Sequence, residues 1–418
     1  MEFTIKQSTL KDELNYIAGV VERKATIPVL SNILIESIGE NEIRIVGTDL
    51  DCTMRCDVEA DIKETGAICI QARKLFDIVR ALPSTADLHF KREDNQWVTL
   101  KAGRSRFRLA GVSKEQFPEI PQFKATNLKL PAETFAYFIQ NTAFAITAEQ
   151  SRFTLSGAKF VVGDGKALMV ATDGHRLAYI EREAAADAGS IDTLIPRKAL
   201  LELSKLARDS RSGEISFGED QNHLYFQTAD GRLLITRKLT GQFPNYEMVM
   251  PKETKNTVTF ELDEMRDAVR RISLMADERQ RSIRITVREG EVEINARSSE
   301  EGEGVETIPA DYKGEETTLG FNWQYLMEFL NNVGALESSG LSVQSSASNS
   351  DEEADAANQT RSSEPGTQNS AAAAAPAKEP PAPKRISFEF NDANAATQMR
   401  IAGETVYNYK YIVMPLRI

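Results

Sequence analysis

Thiols and imidazoles are scarce in this chain: three cysteines (Cys52, Cys56, Cys69) and three histidines (His89, His175, His223) among 418 residues. Cys52 and Cys56 stand four apart in a strand-like stretch with no second ligand pair, so no metal site is expected. An odd, sparse set of thiols fits a reducing cytosol better than a disulfide scaffold. Long apolar runs are missing too. Nothing reaches the length of a bilayer span, and Met1-Glu2-Phe3-Thr4-Ile5-Lys6 lacks a signal-peptide pattern. A soluble, cytoplasmic protein with no membrane contact is expected. There is no excess of positive charge either, since the formal net charge is −12. Taken as a sum, that argues against nucleic acid. A sum says nothing about distribution, however, and a protein can be acidic outside and basic along one surface.

Catalytic signatures are absent as well. Asp173 and His175 lie close together, but no nucleophile motif accompanies them and no third, orienting group can be named. The simpler reading is that Asp173-Gly174 shapes a turn and His175-Arg176 sit on its rim. No catalytic residue and no cofactor are expected.

What is present is repetition. Ala171-Thr172-Asp173-Gly174-His175-Arg176-Leu177-Ala178 follows the apolar run Ala167-Leu168-Met169-Val170 and reads as strand, turn, strand. Gly47-Thr48-Asp49-Leu50 sits the same way after Ile43-Arg44-Ile45-Val46, with Thr48 and Thr172 124 residues apart. Ala72-Arg73-Lys74-Leu75 matches Pro196-Arg197-Lys198-Ala199 at the same offset, and Gln116-Phe117-Pro118 matches Gln242-Phe243-Pro244 at 126. A weaker third copy places Gly320-Phe321-Asn322-Trp323 where the Arg-Lys pairs stood. Matches of several kinds at one offset and in one order mean tandem copies of one domain. Residues 345–383 are Ser-, Ala-, Asn-, Glu- and Pro-rich without periodicity, and are expected to be disordered. Without those 39 residues the chain divides into copies of about 126 residues. The domains expected are 1–125, 126–252 and 253–418, the last interrupted at 345–383.

Within each copy the pattern predicts two helices and about six to eight mostly antiparallel strands, an α+β domain with helices on one sheet face. In copy one, Ser8 is the predicted N-cap of a helix with Leu10, Leu14, Ile17 and Val21 on one face, followed by a strand at Val29 to Ile35 and a helix from Arg73 to Leu82. In copy two, helices are predicted from Ala132 to Ile146 and from Pro196 to Arg208, with Pro196 at the first turn. In copy three, a helix covers Asp263 to Leu274.

Charge recurs with the repeat. Arg73/Lys74 and Arg197/Lys198 open equivalent helices, and Arg266, Arg270 and Arg271 lie on a helix of copy three. Such residues, gathered on one side, would meet phosphates without reading sequence. The helix from Ala132 carries no basic residue, so this surface is not uniform. Arg104-Ser105-Arg106-Phe107-Arg108-Leu109 is an Arg-rich strand, and Arg297-Ser298-Ser299-Glu300-Glu301-Gly302-Glu303 is an acidic loop. Basic and acidic ends permit head-to-tail association, although two unrelated charge runs would read alike. The apolar end, Tyr411-Ile412-Val413-Met414-Pro415-Leu416-Arg417-Ile418, reads as a core strand or a groove wall.

Together, the three copies, the Ala171–Leu177 stretch, Gln242-Phe243-Pro244-Asn245-Tyr246 and Val413-Met414-Pro415-Leu416-Arg417 resemble the bacterial sliding clamp family, the beta subunits of DNA polymerase III. The resemblance spans the chain except about 345–383. It implies a closed ring, a head-to-tail homodimer with helices lining the hole. Duplex DNA would thread that hole, bound without sequence preference. The ring would tether the replicative polymerase and confer processivity, with no active site of its own. The partners implied, through short hydrophobic motifs, are the polymerase catalytic subunit, the clamp loader, repair polymerases and mismatch-repair proteins. The implied partner-peptide pocket comprises Leu155, Thr172, Gly174, His175, Arg176, Leu177, Pro244, Met248, Val249, Asn322, Tyr325, Val413, Met414, Pro415 and Leu416. DNA contacts fall on Lys24, Arg73, Gln150, Arg152, Phe153, Arg197 and Lys198. The dimer interface sets Arg104, Arg106, Phe107 and Leu109 against Leu274, Met275, Glu300, Glu301 and Glu303. Two residues depart from the pattern: Glu149 is acidic in a loop expected to approach DNA, and Gln280 stands where an apolar pocket wall is expected. Two other readings remain, a scaffold of the same fold outside replication and a hydrolase. Loading on primed DNA tests the first, and replacement of His175 tests the second.

Overall fold

The computed structural model describes residues 1–22, 26–123, 128–147, 149, 152–184, 190–209, 211, 213–298, 302–338 (side chains to 333), 384–404 and 406–417. Three successive stretches repeat one element order. The first contains β1 (Glu2–Lys6), α1 (Gln7–Ala18), β2 (Asn32–Ile38), β3 (Glu42–Thr48), β4 (Cys52–Glu59), β5 (Asp61–Glu64), β6 (Ala67–Gln71), α2 (Ala72–Ala81), β7 (Asp87–Arg92), β8 (Trp97–Ala102) and β9 (Ser105–Val112). The second contains β10 (Lys129–Pro131), α3 (Ala132–Thr142), β11 (Gly157–Gly163), β12 (Lys166–Thr172), β13 (Arg176–Glu183), β14 (Ile191–Pro196), α4 (Arg197–Ala207), β15 (Glu214–Glu219), β16 (His223–Thr228) and β17 (Leu233–Arg237). The third contains β18 (Asn256–Glu261), α5 (Leu262–Ile272), β19 (Ser282–Arg288), β20 (Glu291–Ser298), β21 (Gly302–Pro309), β22 (Thr317–Asn322), α6 (Trp323–Ser338), β23 (Arg385–Phe390), β24 (Thr397–Ile401) and β25 (Asn408–Val413). Copy one exceeds the expected strand number because β5 adds an edge strand beside β1.

Helices pack in pairs, α1 on α2, α3 on α4 and α5 on α6, against antiparallel sheets. The cause is periodicity. On α1 the buried residues Leu10, Leu14 and Ile17 share one stripe, and on α5 Met265, Val269 and Ile272 do the same. Strands alternate instead: Ile283, Ile285 and Val287 point inward from β19, and Val292 and Ile294 from β20.

The copies are joined through sheets. A 13-stranded sheet runs from copy two into copy one by pairing β17 with β4. An 8-stranded sheet runs from copy two into copy three by pairing β13 with β25. By element order β4, β13 and β21 are equivalent, and so are β9, β17 and β25. The two internal junctions therefore use the same pair of strands. Their third representatives, β21 and β9, are not paired with each other. β21 is an edge strand, and β9 meets β6 only at Gly111 and Val112, which leaves the Ser105–Ala110 side open.

Several expected boundaries move. Helix α1 begins at Gln7 rather than after Ser8, and no side chain caps it. Its first N–H instead donates to the Ala86 carbonyl at 2.9 Å, so a tertiary acceptor replaces the cap. Pro28–Ser31 forms a 3-10 turn, which delays the strand to Asn32. Pro196 ends β14 and caps α4 from outside rather than opening its first turn. Helix α3 stops at Thr142, where the Asn141 and Thr142 side chains donate back to the Tyr137 and Phe138 carbonyls at 2.8 and 2.7 Å, and a 3-10 turn over Ala143–Ala145 follows. The sequence stretch 345–383 lies outside the described residues, as do Lys24, Gln150, Glu300 and Glu301.

Candidate partner groove and nucleic-acid face

The turn between β12 and β13 is built by its own side chains. Thr172 Oγ1 donates to the Arg176 carbonyl at 2.6 Å and accepts the Gly174 N–H at 3.1 Å. Asp173 Oδ1 accepts the N–H groups of His175 and Arg176 at 2.9 and 3.1 Å. Gly174 has φ +91°, the left-handed region that a side chain disfavours. The Met414 N–H donates to the His175 carbonyl at 3.1 Å, which fixes the residues after β25 beside this turn.

A cavity of about 140 Å³ opens there, lined by Leu155, Thr172, Gly174, His175, Arg176, Leu177, Pro244, Asn245, Tyr246, Val249, Ile412 and Met414. It is apolar at the base, over the small core formed by Leu155, Val170, Leu177, Tyr179, Leu194, Phe243 and Ile412. A space of this size takes the ends of apolar side chains rather than a whole drug-sized ligand. Nine residues expected in a peptide pocket share this lining. Asn245, Tyr246 and Ile412 join the lining as well; Asn245 and Tyr246 belong to the quoted Gln242–Tyr246 stretch, and Ile412 to the apolar C-terminal strand, where Tyr411 and Val413 are buried too.

The other expected pocket residues stand nearby in different roles. Met248 is 82% exposed at the rim. Val413 is fully buried opposite Arg176 in the sheet junction. Asn322 Oδ1 accepts the Gln324 N–H at 3.0 Å and so caps α6. The Tyr325 ring lies 6.5 Å from that of His175. Pro415 is half-buried, and the Leu416 N–H donates to the Gly320 carbonyl at 2.8 Å, beyond the groove.

Arg176 is the junction's clasp. It is only 7% exposed. Its guanidinium donates to Asp173 Oδ2 at 3.1 Å, the Phe144 carbonyl at 2.7 Å and the Tyr411 hydroxyl at 3.3 Å, and pairs with Glu328. It also lies 4.4 Å over the Tyr325 ring. Burial alone would lower its pKa, but Tyr411 and Glu328 raise it above the ordinary arginine value, so it stays charged. A second buried arginine, Arg232, holds the first junction by pairing with Glu13 of α1 at 2.6 Å. Composition had not singled out Arg232 or Glu13, since an ion pair between copies leaves no local pattern.

The residues expected at DNA divide into free and engaged groups. Arg73 and Arg197 are exposed, Arg73 only 4.0 Å from Asp77. Lys74 and Arg80 on α2, Lys205 on α4, Arg208 just after it and Arg270 on α5 are exposed too. Helices α2 and α4 each carry three basic residues against one acid. Lys198 is engaged: its ammonium pairs with Asp49 and donates to the Val20 carbonyl at 3.0 Å, across the first junction. Arg152 is engaged as well, donating to the Asp173 carbonyl at 3.1 Å and pairing with Glu149 at 3.2 Å. Phe153 beside it is 70% exposed. The acid at Glu149 thus has a local partner.

At the two open strands, Arg104 and Arg106 are exposed, Phe107 is half-buried and Leu109 is buried. Leu274 is 74% exposed, and Met275 is half-buried under Gly304, where a Cβ would come within 3.0 Å of Met275 Cγ. Glu303 accepts from Asn295 Nδ2 at 2.9 Å. Among the described residues there is no cluster of three or more His, Cys, Asp or Glu able to hold a metal, and no helix long and apolar enough to cross a membrane.

Comparison with known proteins returns three consecutive family models. Residues 1–121 match the N-terminal domain, 129–245 the central domain and 247–354 the C-terminal domain of the DNA polymerase III beta subunit. A beta sliding clamp from Pseudomonas aeruginosa is 34% identical over 339 residues, covering 80% of this chain and 91% of the relative. One from Chlamydia pneumoniae is 32% identical, covering 79% and 89%. Among solved structures, a P. aeruginosa sliding clamp bound to griselimycin superposes with TM-score 0.83 at 28% identity, covering 100% of both chains. A Caulobacter crescentus clamp with polyethylene glycol at its beta-motif tethering region superposes at 0.81 with 28% identity, covering 100% of this chain and 99% of that one.

Proposed function

Because this chain belongs to the beta sliding clamp family, the beta subunits of DNA polymerase III, we propose that two copies close head to tail into a ring around duplex DNA. The protein is a non-catalytic processivity factor of DNA replication, and it binds DNA and the polymerase. The repeat carries the ring reading. Both internal junctions pair equivalent strands, and the third such pair, β21 and β9, is left open at opposite ends of the chain. If each junction turns the chain by the same angle, six domains close when that angle is about 60°. The Arg-rich edge of β9 then meets the Glu-bearing edge of β21. The domains are 1–125, 126–252 and 253–418, and the helix face of α2 and α4 turns toward the DNA. The groove between copies two and three receives hydrophobic motifs of the polymerase, the clamp loader, repair polymerases and mismatch-repair proteins in turn. Exposed Met248 and Met414 can repack around different side chains. The setting is the cytoplasm.

The test is primer extension on a long template with clamp loader and polymerase. Wild-type protein should lengthen the products. Arg73→Ala with Arg197→Ala should shorten them equally on unrelated sequences and make the loss with rising salt shallower, because fewer phosphates are neutralised. Products of unchanged length with and without the protein would overturn the reading.

A further inference from the structure

Copies one and two lay their own downstream chain over the outer face of a sheet. In copy one, Phe117 and Ile120 pack on Leu34, Val46 and Cys69. In copy two, Phe243, Leu239 and Tyr246 pack on Val170, Leu177 and Leu194. The matching face of copy three, on β19 to β22, is polar. Ser282, Arg284 and Thr286 of β19 and Glu293, Asn295 and Arg297 of β20 alternate with the buried residues beneath. Together with Thr318, Leu416 and Arg417 they line an open cleft of about 950 Å³.

Its charges are unevenly satisfied. Glu293 pairs with Arg288 at 2.8 Å, and Glu303 accepts from Asn295. Arg284, Arg297 and Arg417 are exposed, and among the described residues none of their guanidinium groups has an ion-pair or hydrogen-bond partner. The chain after β25 also leads from the partner groove to the cleft. Met414 lines the groove, while Leu416 and Arg417 line the cleft. Three extended residues cover on the order of 10 Å.

We propose that a partner polypeptide seated in the groove continues beside residues 414–417 and lays an acidic, extended stretch over Arg284, Arg297 and Arg417. The inference rests on the groove reading above. Carboxylates suit three guanidinium forks that have no partner among the described residues, and such forks bind them in paired hydrogen bonds. An extended segment suits a face whose equivalents in the other copies already carry one.

The test uses the full chain and three labelled peptides in fluorescence anisotropy: a short hydrophobic clamp-motif peptide, the same peptide flanked on both sides by four glutamates, and the same flanked by four lysines. The glutamate peptide should bind roughly three- to tenfold more tightly than the short one at low salt, the scale of a few exposed ion pairs. The lysine peptide should gain nothing. Arg284→Glu with Arg297→Glu should abolish the glutamate gain and leave the affinity of the short peptide unchanged, which also shows that the variant is folded. An equal gain for lysine, a gain that survives in the variant, or a gain that appears only after residues 339–383 are deleted would each overturn the proposal. Failure of the short peptide to bind wild-type protein would instead overturn the groove reading.

Discussion

Replacing Arg176 with Met tests whether the groove is held from behind. The substitution keeps the bulk and removes the charge. Four partners lose a donor, but not equally. Glu328 is 45% exposed and can take water. Asp173 keeps the backbone N–H groups of His175 and Arg176. The Tyr411 hydroxyl still donates to the Tyr325 carbonyl at 3.0 Å. The Phe144 carbonyl loses its guanidinium donor, and Tyr325 loses the cation over its ring. The cost should therefore be about 2–3 kcal/mol, below the penalty for stranding a fully buried charge. In a chain of three domains that loss is local, so a single global melting curve is the wrong readout. Amide exchange along β13 and β25 should quicken by roughly 30- to 160-fold, with β1 and β7 unaffected. Groove-peptide affinity should fall as well, because the Thr172–Leu177 turn loses its anchor. Glu328→Gln should reproduce part of both effects, although Glu328 does not line the groove. Because the folded pKa of Arg176 is raised, its contribution is complete at every pH below the ordinary arginine value and is lost only above it. Both effects should therefore be flat across neutral pH. Weakened peptide binding with unchanged exchange would refute the clasp and make Arg176 a direct contact only.

The remaining expectations are shorter. Arg106→Glu should yield monomers in sedimentation, and Glu303→Lys in the same chain should partly restore the dimer; a wild-type monomer would contradict the edge-pairing reading. Deleting residues 345–383 should leave melting temperature and dimerisation nearly unchanged, because the period of the repeat closes without them; a large drop would show that they pack. Burial pushes the thiols of Cys52 and Cys69 up to about 12, and that of Cys56 well above its ordinary value. A thiol reagent at pH 8.5 should therefore label none of the three until denaturant is added.

The fold was legible because it is repeated. One amphipathic helix is weak evidence, but Arg73-Lys74 and Arg197-Lys198 at one offset identified two helices and their equivalence together. Boundaries were less legible where a distant partner replaces a local signal. The Ala86 carbonyl starts α1 without the cap Ser8 would have supplied, and nothing near residue 7 announces it. The groove was readable in outline because its turn has side-chain chemistry, Thr172 and Asp173, that shows in the sequence. The ion pairs were not. Lys198 reads as one more exposed cation until Asp49, on another copy, is found beside it. Arg176 reads as a pocket residue until four partners from four segments converge on it.

The same turn occurs in copy one with different side chains around it, which raises the question of what makes the turn of copy two a groove wall. The backbone is reproduced closely. Thr48 Oγ1 accepts the Leu50 N–H at 3.0 Å, and Asp49 Oδ1 accepts those of Asp51 and Cys52, as Thr172 and Asp173 do. The Arg237 N–H donates to the Asp51 carbonyl at 2.8 Å, as Met414 does to His175. The difference lies in the side chains. Leu50 takes φ +79° where Gly174 takes +91°, so an exposed leucine accepts backbone strain and occupies the space a glycine leaves open. Thr53 replaces Leu177, and Asp51 and Arg237, 3.7 Å apart, replace His175 and Met414. An apolar mouth has become a leucine and an ion pair. Leu50→Gly with Thr53→Leu and Arg237→Met should therefore raise the stoichiometry of clamp-motif peptide from one to two per chain in calorimetry. A stoichiometry that stays at one would mean that the walls from residues 244–249, and not the turn, decide where a partner can sit.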